Sequence, residues 1–132
     1  MSKDACPFCA AETLVRAVAY YGTVFAVADR FPVAEGHLLV ISRRHVADWF
    51  ALDDGERRDA ETLLLRLRER ILAGDPTVSG FNIGMNCGGS AGQTIFHAHV
   101  HLIPRRSGDT PDPAGGVRGV IPGKRKYSQG HF

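Results

Sequence analysis

No stretch of this sequence is apolar for the length that a membrane span requires. The opening residues, Met1-Ser2-Lys3-Asp4-Ala5-Cys6-Pro7, hold no apolar core of a signal peptide. These two absences point away from a membrane partner and toward a cytoplasmic location. Neither charge sign dominates: 16 Lys and Arg against 14 Asp and Glu leave a net charge of +2, too small to argue for a nucleic-acid partner. Cysteine is scarce, with three in 132 residues, so no disulfide framework is available. None is needed, because one domain of this length buries a core without staples. No internal repeat is visible.

What is present reads as alternating strands followed by one long helix. Residues 13–20 are rich in β-formers and predict a strand. Tyr21-Gly22 signals a turn, and Thr23–Ala28 predicts a second strand, giving a hairpin. Asp29–Gly36 contains Pro32 and reads as a loop. His37–Ser42 is apolar enough for a central strand. Asp53 followed by Glu56 has the spacing of a capping box. Ala60, Leu63, Leu64, Leu67 and Ile71 then keep helical spacing until Gly74 and Pro76 end the helix. Gly80–Asn86 alternates, with Phe81, Ile83 and Met85 expected on one face. Residues 95–103 predict the last strand, and the chain after Pro104 reads as an irregular tail. The expected fold is α+β: an antiparallel sheet of about five strands with one long helix packed on it.

The last strand carries the chemistry. Side chains alternate along a strand, so Phe96, Ala98, Val100 and Leu102 are expected toward the helix and His97, His99 and His101 on the other face. Neutral imidazole is a nucleophile or metal ligand, and protonated imidazole donates to phosphate oxygens. Just before the histidines, Gly88–Thr94 is a run of small residues through which backbone amides and short polar side chains such as Thr94 can approach a phosphate. Gln93 and Asn86 add neutral polar groups. Read by residue type alone, the row also fits a solvated face or the ligands of a catalytic metal. Cys6 and Cys9, two residues apart, have the spacing of a zinc half-site, and also fit an ordinary packed N-terminus.

Gln93-Thr94-Ile95-Phe96-His97-Ala98-His99-Val100-His101-Leu102-Ile103 resembles the signature of the histidine triad (HIT) family, in which three histidines alternate with apolar residues. The resemblance extends upstream through Gly36–His45 and covers about residues 5–108, leaving 109–132 as a tail. It implies a nucleotide hydrolase or nucleotidyl transferase that passes through a covalent nucleotidyl-histidine, and a homodimer. It implies His99 as the nucleophile at the α-phosphorus, His101 and Gln93 on the phosphate with Asn86 nearby, and His97 and His37 as support. It places Asp29 on the ribose hydroxyls and Phe8 against the base. In bacterial members with the N-terminal cysteine pair it implies a structural zinc held by Cys6, Cys9, His45 and His97. Dinucleoside polyphosphates and nucleoside phosphoramidates are the implied substrates. A nucleotide-binding adaptor without catalysis is the competing reading. His37 alone also fits a core histidine, and Arg105, Arg106, Lys124, Arg125 and Lys126 a solvated basic tail or a contact for polyphosphate. Cys87 and His131 receive no role.

Overall fold

The computed structural model describes residues 2–127; His131 and the end of the tail lie outside them. Five strands, β1 (Ala19–Tyr21), β2 (Val24–Ala28), β3 (Leu38–Ser42), β4 (Val78–Gly84) and β5 (His99–Arg106), form one antiparallel sheet in the order β1-β2-β3-β5-β4. Two helices, α1 (Ala11–Val15) and α2 (Asp54–Gly74), accompany it. The expected α+β architecture is the observed one.

The long helix starts where its sequence says it should. Asp53 accepts from the Glu56 amide at 2.7 Å while Glu56 accepts from the Asp53 amide at 2.9 Å, a complete capping box. Glu56 is almost fully buried and also takes the Arg44 guanidinium through both carboxylate oxygens, which ties the helix start to the end of β3. Ala60, Leu63 and Leu67 pack against Val24, Ala26, Val40, Val100 and Leu102. At ~25 cal/mol per Å² of apolar surface removed from water, such a face supplies most of what holds α2 to the sheet.

Register sets the other face. Phe25 pairs with Ile41, and Ile41 with His99; Val27 pairs with Leu39, and Leu39 with His101. Phe25, Val27, Leu39 and Ile41 form a second apolar cluster, covered in part by Phe8 and Ala17 from the N-terminal segment. Two histidines thus continue two apolar rows across the sheet, away from α2.

Three local expectations need correction. Residues 13–20 are not one strand: α1 takes residues 11–15 and β1 begins at Ala19. Here tertiary contact overrides β-propensity, because Thr13 is buried and its hydroxyl donates to the Pro7 carbonyl, anchoring the cysteine segment. β5 begins at His99 and runs through Pro104 to Arg106, so His97 does not share the strand of His99 and His101. Pro104 is tolerated because β5 is paired there with β4 alone, β3 pairing having ended at Leu102. Phe81, Ile83 and Met85 share the helix-side face as their alternation implies: Ile83 pairs with core Leu102 and is half exposed at the sheet edge, while Phe81 and Met85 pack on that core. Arg105 and Arg106 are not a solvated tail: Arg105 forks onto Asp109 with two 2.8 Å bonds, and Arg106 reaches Asp75 at 2.8 Å.

Asp75 closes the end of α2. The Thr77 hydroxyl and the Arg106 guanidinium hold its carboxyl down at about 2 from an ordinary 3.8. A depressed folded-state pKa gives stability that is full above 3.8 and lost as pH falls through about 2. Asp75→Asn is therefore expected to flatten the acid limb of the unfolding midpoint between about pH 4 and pH 2. An acid limb identical to that of the parent protein would contradict this.

Candidate active site and metal centre

His99 is buried at the floor of a cleft of about 790 Å³ whose walls include Phe8, Asp29, His37, Asn86, Gln93, Thr94 and His101. Its Nδ1 lies 2.7 Å from the His97 carbonyl oxygen. A carbonyl only accepts, so Nδ1 carries the proton. Burial pushes the His99 pKa down, so the ring is neutral and Nε2 holds a free lone pair. The Phe8 ring stands edge-on to it at 4.9 Å between centroids.

A second chain of bonds assigns the protons around His101. The Val33 amide donates to His37 Nδ1 at 3.2 Å, so His37 Nδ1 is bare. Burial lowers the His37 pKa, and the neutral ring then carries its proton on Nε2. That Nε2 lies 2.9 Å from His101 Nδ1 and donates to it. Burial also lowers the His101 pKa, which leaves the neutral His101 with its proton on Nε2. Neighbouring histidines therefore present opposite groups: a lone pair on His99 and an N–H on His101. Their ring centroids are 5.4 Å apart. Gly84 is the residue of β4 paired with His101, and a side chain there would meet no atom within 4 Å, so the flank of His101 is open.

Asp29 faces this pair. Its Oδ2 is 3.4 Å from His37 Nε2 and 3.9 Å from His101 Nδ1, and its Oδ1 accepts from the Phe31 amide at 2.9 Å. Asn86 lies just beyond β4 and Thr94 just before the histidine segment, both on the cleft. Gln93 is nearly fully buried and saturated: its Oε1 accepts from the Gly88 amide at 2.8 Å, and its amide nitrogen donates to the Ala47 and Ile95 carbonyls at 2.6 and 3.1 Å. The glycine loop spends several amides on itself, with Ala91 and Gln93 both bonded to the Gly88 carbonyl. Gly88 and Gly92 take φ of 96° and 94°, a region that other residues rarely adopt.

His97 turns away from the cleft into a second cluster. Its Nε2 donates to the Ser42 carbonyl at 2.6 Å, which leaves Nδ1 as a bare acceptor. That Nδ1 lies 3.2 Å from His45 Nδ1, 3.4 Å from Cys6 Sγ and 3.5 Å from Cys9 Sγ; Cys9 Sγ lies 3.2 Å from His45 Nδ1. All four donor atoms fall within 4.8 Å of one another. A tetrahedral zinc with Zn–N of about 2.05 Å and Zn–S of about 2.3 Å spaces its ligands about 3.3–3.8 Å apart, so the donor set fits that ion closely. The His97–Ser42 bond is the kind of outer contact that orients a metal-binding imidazole. Burial and the adjacent Cys6 push the Cys9 thiol up; a divalent cation reverses that preference by favouring the thiolates.

The sheet thus brings the sequence-derived residues together in two groups joined by the backbone from His97 to His99. Sequence reasoning did not find the Val33 amide or the Ser42 carbonyl, because backbone groups carry no residue-type signal.

Residues 12–108 match the HIT domain family, and the chain belongs to it. Among its relatives, an uncharacterized 16.1 kDa HIT-like protein of Mycoplasma pneumoniae is 36% identical over 85 residues, 61% of this chain and 56% of that protein. An AP-4-A phosphorylase of Mycobacterium tuberculosis is 38% identical over 88 residues, 65% of this chain and 44% of that one. The chain spans about half the length of these curated relatives. A solved structure described as a zinc-bound histidine triad family protein from Mycobacterium smegmatis superposes with a TM-score of 0.73 at 28% identity, covering 84% of this chain and 86% of that one. Among the described residues, no helix is long and apolar enough to cross a membrane.

Proposed function

We propose that this chain is a nucleotide hydrolase or nucleotidyl transferase that works at the α-phosphorus through a covalent nucleotidyl-histidine, on a dinucleoside polyphosphate or a nucleoside phosphoramidate. The observation that carries this reading is the pairing of a free lone pair on His99 Nε2 with a proton on His101 Nε2 in one cleft. In the first step His99 Nε2 forms a bond to phosphorus as the bond to the leaving atom breaks. The leaving atom departs with the electron pair while the His101 Nε2 N–H donates a hydrogen bond to it; a phosphate leaves as its anion, and an amine takes its proton from solvent. In the second step water or another acceptor attacks phosphorus, the bond to His99 Nε2 breaks and returns its electron pair to the ring, and the acceptor's proton goes to solvent. Splitting one displacement into two is the ordinary gain of covalent catalysis.

The remaining roles follow position. His37 holds the His101 tautomer, and His97, through its carbonyl, holds that of His99. Asn86 and Thr94 meet the phosphate with His101. Gln93 serves the same phosphate site from behind by fixing the glycine loop. Asp29 takes the ribose hydroxyls and Phe8 the base. Cys6, Cys9, His45 and His97 hold a structural zinc, which when bound clamps the N-terminal segment onto the sheet beside His97. Residues 1–108 make up the catalytic domain and 109–132 its tail. The protein is a cytoplasmic homodimer, pairing over the exposed Leu65 of α2 and Ile83 at the β4 edge.

Two in-line displacements restore configuration at phosphorus, and one inverts it. Turnover of a substrate whose α-phosphorus is made chiral with sulfur and oxygen isotopes is expected to proceed with retention. Inversion would show that water attacks directly and would refute the histidine intermediate.

A further inference from the structure

One wall of the cleft that holds His99 is made by Pro7, Phe8 and residues of α1 and its C-terminal end. It carries two charged side chains that the reaction proposed above does not use, Glu12 and Arg16. They lie one helical turn apart. The Arg16 amide closes that turn by donating to the Glu12 carbonyl at 3.2 Å, and the buried Thr13 anchors α1 to the Pro7 carbonyl. Glu and Arg at this spacing on one helix face ordinarily pair with each other. Here they do not: among the described residues, the Glu12 carboxylate has no hydrogen bond and no ion pair.

Arg16 is the more unusual of the two. Its Nη1 donates to the Ala28 carbonyl at 3.4 Å, which sets the guanidinium at the end of β2, next to Asp29 in the chain. Its Nε is buried without a hydrogen-bond partner, the one such side-chain atom among the described residues. A buried N–H left unpaired costs free energy that an acceptor on a ligand would recover.

The two groups together select a ligand. With the ribose on Asp29 and the base against Phe8, as proposed above, the base meets a carboxylate and a guanidinium from one wall. A carboxylate only accepts and a guanidinium only donates. Guanine answers both. Its N1–H and exocyclic amine are adjacent donors suited to the two oxygens of one carboxylate, and its O6 accepts. Adenine and cytosine each turn a bare ring nitrogen toward the carboxylate, and uracil offers one N–H between two carbonyls. We infer that Glu12 and Arg16 read the base and that the preferred nucleotide carries guanine. The inference rests on the nucleotide reading above and deepens it.

Binding of the product monophosphates GMP, IMP and AMP, measured by calorimetry, tests this without chemistry. GMP is expected to bind more tightly than AMP by about tenfold or more, within the range that one bidentate contact to a base gives. IMP, which keeps N1–H and O6 but lacks the exocyclic amine, is expected between them. Glu12→Gln changes an exposed side chain to an amide with one acceptor and one donor, the pattern that matches adenine. It is therefore expected to invert the order, so that AMP binds more tightly than GMP. Arg16→Leu is expected to weaken GMP by about tenfold, the scale of one charge-assisted hydrogen bond, and to narrow the GMP-to-AMP ratio. Glu69→Gln, exposed on α2 and off the cleft, keeps the parental ratio. Equal affinities in the parent protein, a parental preference for AMP, or a ratio unchanged in Glu12→Gln overturns the base assignment. Guanosine and adenosine 5′-phosphoramidates, followed in parallel for turnover, keep the two readings apart. A GMP preference with neither compound turned over refutes the histidine chemistry and upholds the base assignment. Turnover of both with equal affinities does the reverse, and failure to bind any of the three monophosphates overturns both.

Discussion

His99→Ala is expected to lower kcat/KM by about 10⁴-fold or more, the scale seen when a nucleophile that works with its partners as a unit is deleted. Affinity for an unreactive nucleotide analogue is expected to change only a few-fold, since the phosphate contacts, the Asp29 carboxylate and the Phe8 ring all remain. The size of the effect follows from the proton assignment. Among the described residues, no other imidazole of the cleft offers a free lone pair: His37 Nδ1 is engaged by the Val33 amide and His101 Nδ1 by His37. His37→Asn acts through His101 alone, so its loss is expected to be smaller, about 10–100-fold, as for other groups that orient a reacting side chain. A His99→Ala protein that keeps a tenth of parental activity would mean that the lone pair does no chemistry.

Removing the metal is expected to produce the second large effect. The purified protein should contain about one zinc per chain. A site saturated a thousandfold over its Kd adds about 4 kcal/mol of stability. Stripping it with a strong chelator should then lower the thermal midpoint by roughly 10–15 °C, and added zinc should restore it. Cys6→Ser/Cys9→Ser should mimic the stripped protein and no longer respond to zinc. The physical reason is local. Without a cation, two imidazole nitrogens at 3.2 Å and two thiols crowd one point with little to hold them together. With it, one bonded centre ties Cys6 and Cys9 to the end of β3 and the approach to β5. A midpoint indifferent to chelator, or a double serine variant as stable as the parent, would contradict the metal centre. Activity that tracks metal even in a variant of unchanged stability would make the metal catalytic rather than structural.

Much of this was legible in the sequence where residue type and periodicity speak directly. The capping box of Asp53 and Glu56, the leucine stripe of α2 and the hairpin at Gly22 appear as their spacing implies. The cluster of Cys6, Cys9, His45 and His97 also follows from spacing together with the family resemblance. What was not legible depends on contact. Residues 11–15 turn into helix because Thr13 binds the Pro7 carbonyl, a bond that no propensity encodes. The row of three histidines divides between two clusters because Cys6, Cys9 and His45 gather around His97 while His37 and Asp29 gather around His101. Gln93 looks like a phosphate ligand by type, and its hydrogen bonds to the Gly88 amide and the Ala47 and Ile95 carbonyls are contacts that residue type does not encode. The segment after Pro104 looks irregular by composition, yet its arginines bond it back on itself.

Covalent catalysis by His99 requires a bond from its Nε2 to phosphorus, and that bond can be sought directly. Protein mixed with an excess of adenosine 5′-phosphoramidate, quenched within a single turnover under conditions that preserve phosphorus–nitrogen bonds and digested, should yield one peptide carrying a nucleotidyl group. Fragmentation should place that group on His99, and the same peptide from His99→Ala should be unmodified. A nucleotidyl group on another residue, or none while product still accumulates at full rate, would contradict the account.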